Sequence, residues 1–147
     1  MAQISIMRKL LLLLFCCTPF VYGVEVFQGG ASYNLASISS EISEQYGIKF
    51  KVNTVLVASL DRKNESYKKQ WEVLEGINAE QYQLIYVSAL VHGETNKHGY
   101  YTKAKTAETL LSGEEFLVQI YSSSGQLLVG SNSILSAKNI IEYLPQP

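Results

Sequence analysis

The stretch that most constrains the fold runs from Asn53 to Ile77. It reads NTVLVASL, then DRKNES, then YKKQWEVLEGI. Val55 to Leu60 is almost continuously apolar, as expected of a central strand covered on both faces. The polar turn that follows holds Asp61 and Asn64, and either can cap a helix. Tyr67, Trp71 and Leu74 then recur at i, i+4 and i+7, which places them on one helical face. Glu65 with Lys69, and Lys68 with Glu72, have the spacing of i,i+4 ion pairs on the wet faces. Gly76 stands where a helix commonly ends. The run YQLIYVSAL, Tyr82 to Leu90, is a second buried strand. A strand, a helix and a second buried strand make a parallel βαβ unit.

The flanking sequence completes the pattern. Leu35, Ile38, Ile42 and Tyr46 recur at helical spacing, and Gly47 closes that segment. Ile48, Phe50 and Val52 alternate with Lys49 and Lys51, which predicts an edge strand with a lysine-bearing face. Val91 to Tyr101 is polar and glycine-bearing and reads as an exposed loop. Ala104, Ala107 and Leu111 mark a short helix stopped by Gly113. Phe116 to Tyr121 is a strand, Ser122 to Gly125 a hairpin loop, and Gln126 to Val129 the returning strand. Ser136 caps a last helix, Leu135 and Ile140 are placed for a hydrophobic staple, and Pro145 stops the helix.

This order, βαβ, helix, β-hairpin, helix, predicts an α/β protein of thioredoxin-like type. A βαβ unit and a ββα unit would surround a mixed sheet of four to five strands. The chain has 147 residues, the size of a single domain. Residues 53–147 would form that domain, preceded by an extension over 24–52 that supplies a helix and an edge strand.

Residues 1–23 read as a segment outside the fold. Arg8 and Lys9 precede an apolar run from Leu10 to Cys17 that is too short to span a bilayer. Val21-Tyr22-Gly23 suits a signal-peptidase site, with cleavage before Val24. The expectation is an exported protein of the periplasm or cell exterior that meets the membrane only during export. Both cysteines, Cys16 and Cys17, fall in that segment. The mature chain would then hold no thiol, in a compartment that permits disulfides.

Two stretches, VNTVLVASLDRKNESYKKQWEVL and FLVQIYSSSGQLLVGSNSILSAKNIIEYLPQP, together resemble the DUF4174 domain family. The resemblance covers roughly residues 52 to 147. Tyr67 and Gln70 match its aromatic residue and glutamine at the start of the first helix. Ser124-Gly125 and Gly130-Ser131 stand where that family often carries an Asp-Gly turn and a basic residue. The resemblance implies a bacterial, thioredoxin-like protein without an assigned activity.

The chemistry that such a fold could carry is narrowed by the residues present. A thiol-disulfide oxidoreductase needs Cys-x-x-Cys at the start of the first helix. Arg62 to Ser66 occupy that place, and no proline precedes Phe116 to face it. Arg62, Lys63, Asn64 and Ser66 could contact an anion or a partner at the helix start, or simply form a solvated cap. His92, Glu94 and His98 are ligand types for zinc or copper, although their spacing in one loop fixes no geometry. The bland alternative is a polar loop with two exposed histidines. No G-x-S-x-G elbow is present, and the histidines are confined to that loop. Tyr100 and Tyr101 suit either a binding surface or the rim of the core. Asn64-Glu65-Ser66 is a formal glycosylation sequon.

A net charge of −1 argues against a nucleic-acid partner. No catalytic residue and no cofactor is expected. The leading expectation is a non-redox binding or structural module, with a protein or a small anionic ligand as partner. The alternative is a non-thiol enzyme, metal-dependent through the His92–His98 loop.

Overall fold

A computed structural model describes residues 35–48, 52–93 and 99–145. The expected signal segment, residues 24–34 of the extension, residues 49–51, 94–98 and 146–147 lie outside the described residues. The elements are α1 (Leu35–Tyr46), β1 (Asn53–Ser59), α2 (Glu65–Glu75), β2 (Leu84–Leu90) and β3 (Tyr100–Tyr101). They continue as α3 (Ala104–Leu111), β4 (Phe116–Tyr121), β5 (Leu127–Ser131) and α4 (Ala137–Tyr143).

The strands form one mixed sheet in the order β3-β2-β1-β4-β5. β1 runs parallel to β2, with Leu56 opposite Val87, and antiparallel to β4, with Leu56 opposite Gln119. β5 returns antiparallel beside β4. A central strand flanked by a parallel βαβ partner and an antiparallel hairpin is the thioredoxin-like α/β arrangement predicted above. Every residue of β1 is buried, which is why that strand is apolar without alternation.

Helices cover both faces. Tyr67, Trp71 and Leu74 of α2 and Ile140 of α4 pack on Val55, Val57, Val118 and Ile120. On the opposite face Ile38 and Ile42 of α1, with Ala107, Leu110 and Leu111 of α3, pack on Leu56, Ala58, Val87 and Ala89. Ile38 and Ile42 are fully buried, and each such side chain contributes about 1.5–3 kcal/mol through the water it sheds. The helix preceding β1 is thus half of one packing layer. No described helix is long and apolar enough to cross a membrane.

Several local expectations need correction. Ile48 and Val52 lie outside any strand, and the sheet begins at Asn53, whose N–H donates to the Gln83 carbonyl at 3.0 Å. Tyr100 and Tyr101 are not loop residues: they form β3, in parallel register with Val87 and Ser88. Gly76 ends α2 with φ −81°, a conformation open to any residue, whereas Gly47 has the left-handed φ of 68° and donates to the Ser43 carbonyl. Lys68 pairs with Glu65 at 3.7 Å instead of with Glu72. Ser136 caps α4 as expected, accepting the Asn139 N–H at 3.1 Å. Leu135 and Ile140 are buried on either side of that cap.

Candidate functional site

The parallel strands β1 and β2 end at the same edge of the sheet. Beyond β2, the N–H of Val91 donates to the Ser59 carbonyl and that of His92 to the Leu60 carbonyl, at 3.1 and 2.7 Å. The strand ladder thereby continues past both ends and holds His92 and Gly93 beside the β1–α2 turn. Between that turn, one flank of α2 and the His92 segment lies a cleft of about 580 Å³. Its size falls within the roughly 300–1,000 Å³ of small-molecule sites. Its position, outside the carboxyl ends of parallel strands, is where open α/β sheets bind ligands.

The turn is built from its own side chains. Asp61 Oδ1 accepts the N–H groups of Lys63 and Asn64 at 2.8 and 3.1 Å. Asn64 Oδ1 accepts the Tyr67 N–H at 3.0 Å, which caps α2. Both candidate caps are therefore used. The amides of Lys63, Asn64 and Tyr67 already have acceptors within the protein, so these three are not offered to an anion. Arg62 and Lys63 are exposed and line the cleft. Asn64 and Ser66 belong to the cap and the first turn, and Ser66 is half-buried.

The inner wall is aromatic. Tyr67 and Trp71 meet edge to face at 6.2 Å, and Trp71 meets Tyr86 at 5.6 Å. Tyr67 Oη shares a buried hydrogen bond of 3.0 Å with Ser88 Oγ. Burial pushes the Tyr67 phenol up to about 12, against the pull of the Ser88 hydroxyl. It is thus a neutral hydroxyl near neutral pH, unsuited to serve as a base. Tyr86 Oη donates to the Leu74 carbonyl at 3.0 Å, satisfying an acceptor in the last turn of α2. Gly99 closes on this wall with φ 75°. A Cβ there would stand 2.5 Å from the Tyr86 carbonyl oxygen and 3.3 Å from Trp71. Only glycine fits without moving the strand.

Gln70 fixes α2 from behind. Its side chain is fully buried, accepts the Leu135 N–H at 2.8 Å and donates to the Leu135 carbonyl at 3.0 Å. The amide thus pairs with the chain before α4 much as a strand would.

Of the candidate metal ligands, His92 is exposed at the cleft rim, while Glu94 and His98 lie outside the described residues. Among the described residues no group of three His, Cys, Asp or Glu side chains is placed to hold a metal. Tyr101 is buried in the core and Tyr100 half-buried.

Residue reading in sequence missed the gathering of Lys68, Glu72 and Glu75 with Arg62, Lys63 and His92 around one opening. Comparisons with protein-family models, curated proteins and solved structures return no match.

Proposed function

We propose that the chain is an exported binding module of thioredoxin-like architecture, and that the cleft at the carboxyl ends of β1 and β2 receives its ligand. The observation that carries this reading is the cleft itself: charged groups around a rigid aromatic wall, at the edge where both parallel strands end. Thiol exchange requires a thiolate and a resolving sulfur. No cysteine occurs among the described residues, and Cys16 and Cys17 belong to the segment expected to be removed on export. The Tyr67 hydroxyl is taken up by a buried hydrogen bond with Ser88, so this wall presents its ring and not a free base. The resemblance to the DUF4174 family supports the thioredoxin-like architecture of this reading.

The test is amide chemical-shift mapping of the 24–147 chain against size-fractionated extract of the producing cells. The expected result is saturable shifts at Asp61–Lys63, along α2 and at His92–Gly93, weakened by Arg62→Glu with Lys63→Glu. Shifts confined to other parts of the molecule, or none in any fraction, would reject the cleft as the binding site.

A further inference from the structure

Among the described residues, and apart from Asp61, whose carboxylate is taken up by the Lys63 and Asn64 N–H groups of the turn, the charges around the cleft are sorted by sign along its length. Arg62, Lys63 and Lys68 stand at the turn and the first part of α2, and Glu72 and Glu75 lie further along the same flank. A rise of 1.5 Å per residue puts Glu75 about 10 Å beyond Lys68. Helical spacing would let Lys68 neutralise Glu72, but its ammonium sits 3.7 Å from Glu65 instead. Among the described residues no ion pair joins the two ends. Between them the wall is Tyr67 and Trp71.

We infer that the ligand is a short free peptide of about three residues, bound extended. Its carboxylate lies at Arg62, Lys63 and Lys68, and its ammonium at Glu72 and Glu75. This inference rests on the cleft being the binding site. A simple anion fits poorly, because three turn and helix amides are already satisfied and Glu72 and Glu75 would repel it. A simple cation meets the converse obstacle at the turn. Opposite charges separated by about 10 Å match the termini of an extended tripeptide, at roughly 3.3–3.6 Å per residue. A central apolar side chain would face the Tyr67–Trp71 wall. Both charged ends select orientation as well as length, since a reversed peptide sets like charge against like.

Trp71 is the one tryptophan of the chain, so its emission reports on this wall. The experiment titrates the mature chain with Ala-Leu-Ala, its N-acetylated form and its C-amidated form. The free peptide should shift the emission saturably. Each blocked terminus should weaken binding by about tenfold, the loss of one charge-assisted contact. A variant carrying Glu72→Lys and Glu75→Lys should lose the free peptide and gain N-succinyl-Ala-Leu-Ala, which is anionic at both ends. Both substitutions are at exposed positions, and circular dichroism checks that the variant is folded. Equal response to free and blocked peptides would overturn the inference. So would silence toward the free peptide while extract fractions still shift the cleft amides, an outcome that spares the cleft. Silence toward peptide and extract alike would remove both readings.

Discussion

The two faces of the sheet are packed with different materials. Under α1 and α3 the contacts are aliphatic and often small: Ala58, Ala89 and Ala107 beside Ile38, Ile42 and Leu110. Alanine lets helix and sheet approach closely, so this face is filled at its centre. Under α2 and α4 the face carries Tyr67, Trp71, Tyr101 and Phe116, with Gln70 fully buried beside them. Rigid aromatic rings with polar tips are positioned by hydrogen bonds as well as by volume. Tyr67 and Trp71 line a cleft where the sheet ends. The aliphatic face can therefore trade shapes of equal volume, whereas the aromatic face depends on particular atoms.

The largest expected difference comes from Trp71. Trp71→Ala should cost about 3–5 kcal/mol in denaturant unfolding followed by circular dichroism. Ile42→Leu, a swap of equal volume on the other face, should cost less than about 1.5 kcal/mol. Similar costs would erase the distinction between the faces.

Alkaline titration probes the aromatic face through Tyr67. The Tyr67 phenol has an unfolded pKa near 10 and is held at about 12 in the fold by burial. A raised folded value means that its contribution is complete below about pH 10 and is lost as pH rises toward 12. Two units correspond to about 2–3 kcal/mol. Burial holds Tyr121, on the other face beside Gln119, at about 12 as well and raises the Tyr86 phenol too, so the wild type should lose stability over this window in three contributions. Tyr67→Phe should remove one of them. An unfolding free energy flat from pH 9.5 to about 12 would contradict the burial of these phenols.

Gln70→Leu preserves shape approximately but leaves the N–H and carbonyl of Leu135 without their present partner. An unsatisfied buried group costs about 1–3 kcal/mol, so a loss of about 2 kcal/mol is expected, with faster hydrogen exchange at Leu135. Neutrality would mean that water replaces the amide. The corresponding polar clasp on the aliphatic face is Glu41, which accepts the Lys103 N–H at 2.6 Å and the Thr106 hydroxyl at 2.9 Å. Lys103 is the N-cap of α3 and makes no side-chain cap bond of its own. Glu41→Gln keeps an acceptor but removes the charge, and a cost of about 1 kcal/mol is expected from urea midpoints.

The fold was legible wherever a pattern was local and long. The apolar run of β1, the stripe Tyr67–Trp71–Leu74 and the Ser136 cap each carry their own physical signal. The thioredoxin-like order followed from placing them in sequence. A two-residue strand such as Tyr100–Tyr101 has no periodicity to read; only the parallel register with Val87 and Ser88 defines it. The alternation from Ile48 to Val52 looked like a strand because lysines separate apolar residues, yet neither end of it joins the sheet. The cleft was hidden for a similar reason. Its parts come from the turn, one flank of α2 and the end of β2, and only the β1–β2 ladder brings His92 beside Asp61. Glu41 and Lys103 meet across 62 positions of chain, and neither residue announces the other.

The smallest expected effect has the opposite sign and lies where the aliphatic face turns into β4. Ser112 ends α3 in the left-handed conformation, φ 47° and ψ 45°. Its N–H donates to the Glu108 carbonyl at 3.0 Å, so the backbone there is needed even though the side chain is exposed. A residue with a Cβ holds this conformation at a cost of about 1–2 kcal/mol. Glycine avoids that cost but loses about 0.5–1 kcal/mol more in chain entropy on folding. Ser112→Gly should therefore stabilise the protein by about 0.5–1 kcal/mol, read as a higher urea midpoint with unchanged slope. Gly113 is the control. Its φ is 92°, and a Cβ added there would have no atom within 4 Å, so Gly113→Ala strains the backbone without a clash and should destabilise by about 1 kcal/mol. If both substitutions were neutral, the turn would relax freely, and the closed face would be less rigidly tied to β4 than its packing implies. If Ser112→Gly destabilised, the serine side chain would be holding the turn, and the aliphatic face too would depend on a particular polar atom.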